Sequence, residues 1–131
     1  MLTLICGLPR AGKTTYSKRF ERVIHLDDYI HLPMSLRYER CNKNAQTKED
    51  VAVDGIYNTA NLRIQLVRSY QGDELKCVWL DTPLEVKKHR CGYVPAMNFP
   101  FEPPTLDEGW DEIIIIRGDD NVECINRERQ T

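Results

Sequence analysis

One octapeptide constrains this chain more than any other feature: Gly7-Leu8-Pro9-Arg10-Ala11-Gly12-Lys13-Thr14, a G-x-x-x-x-G-K-T pattern. Glycines at both ends of the loop permit a backbone path that other residues resist. The apolar run Leu2 to Cys6 before it reads as a buried first strand. Lys13 to about Glu21 after it reads as a helix with Tyr16 and Phe20 on one face. A strand that turns through glycines into a helix opens an α/β unit, so further strands with crossover helices are expected downstream.

Short apolar runs do alternate with helical patterns along the rest of the chain. Val23 to Leu26 reads as a second strand that stops at Asp27-Asp28, and Val51 to Val53 as a third that stops at Asp54. A helix is predicted from about Thr59 to Tyr70, with Leu62, Leu66 and Tyr70 in one row and Gly72 as its stop. Leu75 to Leu80 is a fourth strand ending at Asp81. Thr82, Pro83 and Glu85 then supply the N-cap, first-turn proline and capping box of a helix that ends near Arg90 and Gly92. Glu112 to Ile116 reads as a central fifth strand buried on both faces. Gly118 to Thr131 is polar and carries no readable element. In open α/β sheets ligands sit outside the carboxyl ends of the strands. Asp27, Asp28, Asp54 and Asp81 are therefore expected along one edge with the glycine loop.

The chain has 131 residues, the size of one domain of ~100–150 residues. No uninterrupted apolar run exceeds the four residues Ile113 to Ile116, against the ~20 that a membrane span needs. The apolar start breaks at Gly7-Leu8-Pro9-Arg10, unlike a secretory signal. A soluble cytoplasmic protein with no membrane partner is expected. Five cysteines at scattered positions lack C-x-x-C spacing, and His25, His31 and His89 lack ligand spacing. The thiols read as reduced small hydrophobes, mostly buried. A net charge of −2 lacks the basic footprint of a dedicated nucleic-acid binder, although a local patch stays open.

The loop itself predicts a nucleoside triphosphate site. Its backbone N–H groups and the start of the next helix would face the phosphates, Lys13 would add a point charge, and the Thr14 hydroxyl would ligate Mg²⁺. Thus Gly7, Leu8, Pro9, Arg10, Ala11, Gly12, Lys13, Thr14 and the following Thr15 are the expected ATP-binding residues. A guanine motif is missing, because Asn42-Lys43-Asn44-Ala45 has alanine where the acid belongs. The chain is also short for an ATPase motor, and a small kinase fits better.

Phosphoryl transfer further needs an acceptor for the hydroxyl proton and cations around the moving group. Asp27 or Asp28 is the candidate base, with helix capping as the alternative for either. Lys87, Lys88, His89 and Arg90 supply the cations; Arg90 is preferred for its planar fork, and a solvated basic face is the alternative. Asp54 is expected to orient the water shell of the metal, or else to satisfy local backbone groups. The acids Glu102, Asp107, Glu108, Asp111 and Glu112 would repel a nucleic acid and are placed away from the substrate.

Taken in order, Gly7 to Thr15, Leu26-Asp27-Asp28-Tyr29, Val51-Ala52-Val53-Asp54-Gly55, Asp81-Thr82-Pro83 and Phe101 to Trp110 resemble P-loop kinases of the polynucleotide 5′-hydroxyl kinase type. The resemblance covers roughly Met1 to Arg117. It implies a P-loop kinase three-layer sandwich with a five-stranded parallel sheet and a short lid, in a single domain over residues 1–131. It also implies ATP and Mg²⁺ as cofactors, Asp27 as general base toward a 5′-hydroxyl, and Arg90 as the lid-helix arginine. Leu26 and Ile30 stand where such kinases commonly carry arginines, so fold and chemistry transfer further than substrate. The expected acceptor is the 5′-hydroxyl of a DNA or RNA end. Arg37, Arg40, Lys43 and Lys48 between the acid pair and the third strand are candidates to track its backbone, with a solvated charged surface as the favoured reading for most of them. A nucleotide, nucleoside or other small-molecule acceptor is the first alternative, and a non-catalytic ATP-binding module the second.

Overall fold

A computed structural model describes residues 1–9, 11–82, 100–118 and 121–127. The order is β1 (Leu2–Cys6), α1 (Lys13–Ser17), β2 (Val23–His25), α2 (Met34–Asn44), β3 (Val51–Asp54), α3 (Ala60–Ser69), β4 (Leu75–Leu80), β5 (Glu112–Ile116) and β6 (Val122–Asn126). The strands form one sheet in the order β2-β3-β1-β4-β5-β6. The first five are parallel, and β6 runs antiparallel to β5.

Alternation divides each central strand between two cores. Leu2, Leu4, Cys6, Val51, Val53, Cys77, Ile113 and Ile115 face α2 and α3, whose Tyr38, Cys41 and Leu66 pack on them. Ile5, Ala52, Val78 and Leu80 face the other way, toward Tyr16 of α1 and Phe20 just beyond it. This division follows from handedness. The crossover from β1 to β2 passes β3 in one direction, whereas those from β2 to β3 and from β3 to β4 return in the other. Right-handed crossovers that run in opposite directions must lie on opposite faces of the sheet.

Four expectations need correction. Among the described residues the sheet has six strands and is mixed, because the polar tail contributes β6; ahead of it Arg117 N–H donates to the Asn121 carbonyl at 2.9 Å. In β6 only Ile125 packs on the core, so the strand has almost no hydrophobic pattern to read. In β5, Ile113 and Ile115 are buried but Ile114 and Ile116 only half-buried, so burial is not complete on both faces. Helix α1 ends at Ser17 rather than near Glu21. The Ser17 hydroxyl donates to the Thr14 carbonyl at 2.7 Å, and the chain tightens into i→i+3 bonds through Phe20. Last, the span from Tyr29 to Asp50, to which the sequence assigns no element, holds α2, with Tyr38, Cys41 and Asn42 buried at helical spacing. The predicted helix from Pro83, the lid with Arg90, and Arg10 lie outside the described residues.

The segment before β5 is held by charge. Arg63 of α3 is fully buried and meets Glu108 twice, Nε–Oε1 at 2.7 Å and Nη2–Oε2 at 3.0 Å. Its third nitrogen donates to the Tyr57 carbonyl at 2.8 Å. Glu108 also accepts from Trp110 Nε1 at 3.0 Å and from the Thr105 backbone at 3.2 Å. Gly109, at φ +115°, turns the chain in a conformation that side chains resist. Among the described residues no helix is long and apolar enough to cross a membrane.

Candidate functional site

Adjacent strands β1 and β3 leave the sheet in opposite directions, β1 toward α1 on one face and β3 toward α3 on the other. The crevice between their carboxyl ends is the topological switch point where open α/β sheets take ligands. The glycine loop rises from β1 at this crevice. A Cβ on Gly7 would stand 2.7 Å from the Leu80 carbonyl oxygen, so only glycine lets the loop lie against the end of β4. Thr82 fastens the same place, its hydroxyl donating to the Ala11 carbonyl at 2.8 Å. Gly12 caps α1 at φ +100°, a left-handed conformation. Leu8 and Pro9 are half-buried, Ala11 is buried, and Thr14 and Thr15 are exposed.

Lys13 curls back over the loop, its Nζ donating to the Leu8 carbonyl at 2.9 Å. The ammonium is thereby held above the turn it would serve. The five-residue α1 is too short for a full macrodipole, so charge at this loop comes chiefly from Lys13 and the backbone N–H groups.

Beside the loop, Thr14 Oγ1 donates to Asp54 Oδ2 at 3.3 Å. Asp54 is the buried last residue of β3, and among the described residues its carboxylate takes the side chains of Thr14 and His25 as partners. Two oxygens sharing an octahedral Mg²⁺ at about 2.1 Å stand about 3 Å apart, so this pair fits such an ion or its water shell. One carboxylate with a hydroxyl is also the sparse protein set that Mg²⁺ takes when phosphates complete it. Among the described residues no cluster of three or more His, Cys, Asp or Glu could form an all-protein metal cage.

His25, a residue that the sequence reading set aside, completes this cluster. Its Nδ1 lies 2.9 Å from the same Asp54 Oδ2. The β2–β3 register pairs His25 with Asp54 directly. A histidine two residues before an acid pair gives no spacing signal; only the strand order brings it to Asp54.

Asp27 and Asp28 follow on a 3₁₀ turn, Leu26–Tyr29, and both are exposed. The N-cap of that turn is His25, without a side-chain bond, so neither acid acts as the cap. Strand β2 is not beside β1, because β3 stands between them. Two interstrand steps separate the acids' strand from the loop's strand, about 10 Å. Asp81 also sits at this edge, with Arg117 Nε 3.5 Å from its Oδ2.

One candidate cation behaves differently from expectation. Arg37 does not reach outward: Nε donates to the Leu32 carbonyl at 2.7 Å and Nη2 to the Ile30 carbonyl at 2.8 Å, stapling the turn after the acids. Arg40, Lys43 and Lys48 are exposed. Among the cysteines, Cys6, Cys41 and Cys77 are buried and Cys124 is exposed. Burial pushes the Cys41 thiol up to about 11 and that of Cys77 well above its ordinary value, so both stay neutral packing groups. A polar groove between α2 and α3, lined by Glu39, Asn42, Lys43, Gln46, Gln65 and Ser69, includes Lys43 of these cations but neither a loop residue nor Asp27, Asp28 or Asp54. No family model and no curated protein matches this chain.

Proposed function

We propose that this protein is a P-loop kinase that uses ATP and Mg²⁺ to phosphorylate a hydroxyl, with the 5′-hydroxyl of a DNA or RNA end as the leading acceptor. One observation carries the reading: the motif hydroxyl of Thr14 and the Asp54 carboxylate, 40 residues apart, meet at 3.3 Å in the crevice between β1 and β3. A glycine turn that merely capped a helix would need neither that meeting nor a loop pressed onto β4.

The chemistry divides among the chain's own groups. Gly7 to Thr15 bind the polyphosphate through backbone N–H groups, and Lys13 exchanges the Leu8 carbonyl for the terminal phosphates. Thr14 and Asp54 hold Mg²⁺ and its waters, and the ion when bound supplies neutralising charge on the phosphates. The acceptor oxygen attacks the γ-phosphorus, the bond from that phosphorus to the β–γ bridging oxygen breaks, and ADP leaves. Asp27 accepts the hydroxyl proton as the new bond forms. Arg90 is the cation assigned to the moving phosphoryl group.

A second reading, a small neutral alcohol as acceptor, is favoured by one specific feature. The acceptor side carries Asp27, Asp28 and an Ile30 that is 65% exposed, while Arg37 is engaged with carbonyls. The test is incubation with γ-labelled ATP and Mg²⁺ against 5′-hydroxyl DNA, 5′-hydroxyl RNA and nucleosides. Label is expected on a polynucleotide end, and Lys13→Ala is expected to abolish it. Label on nucleosides alone selects the second reading. ATP binding with no labelled product from any acceptor overturns the kinase.

A further inference from the structure

We infer that His25 is a positioning residue for Asp54, fixing the carboxylate beside Thr14 and so setting how tightly Mg²⁺ is held with the nucleotide. The inference rests on the proposed kinase reading and deepens it at the metal.

Parity puts the two side chains together. Ala52 points to the α1 face, so Asp54, two residues on in β3, points there as well. Val23 packs on that face, and His25, two residues on in β2, shares it. Parallel pairing aligns Val23 with Ala52 and His25 with Asp54. Both side chains thus emerge under the start of α1, where Thr14 stands.

Chemistry fixes the direction of the bond. An ionised carboxylate only accepts, so Nδ1 of His25 carries the hydrogen in the 2.9 Å contact. Asp54 Oδ2 then takes two donors, His25 from the β2 side and Thr14 from the loop side. Two donors from separate elements hold the carboxylate in one orientation, whereas Thr14 alone would leave it able to rotate. Outer partners of this kind commonly change metal affinity about 10- to 100-fold when removed. The histidine side chain is 34% exposed against 7% for Asp54, so it covers the carboxylate from solvent without being a core residue itself.

The test compares ADP affinity in Mg²⁺ with ADP affinity in EDTA, by calorimetry, for three proteins. In the wild type Mg²⁺ is expected to strengthen ADP binding. His25→Leu is expected to lose about 10-fold or more of that gain while its EDTA affinity stays unchanged. His25→Asn carries a donor nitrogen the same two bonds from Cβ as Nδ1, and is expected to keep the gain within about threefold. Equal Mg²⁺ gains in wild type and His25→Leu overturn the inference and leave the kinase reading intact. Equal losses in the Leu and Asn variants, or a loss of EDTA affinity in His25→Leu, also overturn it, because either means a general structural role. Wild-type protein that binds no ADP overturns both the inference and the reading. Should His25→Leu fail to fold, Asn against His25→Gln decides. Gln puts the donor one methylene further out and is expected to lose the gain; equal gains in the two overturn the inference.

Discussion

Two charge clusters lie about the sheet, and they are built to opposite rules. Around Arg63 and Glu108 every polar group is matched: two guanidinium–carboxylate bonds, a carbonyl, an indole and a backbone N–H close on one another out of solvent. Around Asp54 the matching stops partway. Thr14 and His25 share one oxygen of the carboxylate, Lys13 rests on a carbonyl of its own loop, and Asp27 and Asp28 face solvent. A saturated cluster has little left to offer a ligand, and removing one member leaves a buried charge unpaired. An open cluster gives little to stability and retains capacity for phosphates, cations and protons. The first holds the segment before β5 on α3; the second is where the proposed chemistry would take place.

The comparison breaks first on the open side. Asp27→Asn keeps shape but cannot take a proton, and turnover is expected to fall roughly 10²–10⁴-fold. Its unfolding free energy is expected to move by no more than about 0.5 kcal/mol, as for other exposed positions. Steady-state rates and a denaturant melt check both halves, and undiminished turnover removes Asp27 from the role of base. The saturated side should answer in reverse. Arg63→Met leaves Glu108 buried and unpaired, at an expected cost of about 3–5 kcal/mol in stability. ADP affinity, measured below the melting transition, is expected to stay unchanged. A loss of nucleotide binding in a still-folded Arg63→Met protein would mean that the two clusters are coupled through Tyr57 and the β3 exit.

How much of this was readable beforehand follows from the kind of signal each part leaves. The glycine loop, the five parallel strands and the acids at the ends of three of them were legible because local backbone demands and apolar runs leave marks in short windows. Strand β6 was not, because an edge strand with one packed residue has no hydrophobic period. Helix α2 was missed although Tyr38, Cys41 and Asn42 have helical spacing, since charged neighbours lower its apolar content. The Thr-x-x-Glu-Gly-Trp segment owes its pattern to the Thr105–Glu108 capping box and to the buried Arg63 that binds Glu108. His25 was illegible for a different cause. Its partner is 29 residues away, and only the β2-β3-β1 order makes them neighbours.

The smallest expected effect sharpens the comparison most, because Arg37 sits between the two rules. It is a half-exposed cation next to the open cluster, yet it is matched like a member of the closed one. Its two carbonyl partners belong to Ile30 and Leu32, directly after the turn that carries Asp27 and Asp28. The guanidinium therefore braces the segment that follows the two acids. Arg37→Ala is expected to cost about 1 kcal/mol of stability, the net worth of such bonds at a partly wet site. For a 5′-hydroxyl oligonucleotide, the slope of log affinity against log salt is expected to stay unchanged in this variant. A phosphate contact would lower that slope by about 0.7–0.9. A drop of that size would show Arg37 leaving its carbonyls for the strand, and would turn the acceptor side from an apolar, acidic platform into a nucleic-acid track. An unchanged slope with lowered stability keeps Arg37 within the fold and leaves Arg40, Lys43 and Lys48 as the cations of this segment that remain exposed to a backbone.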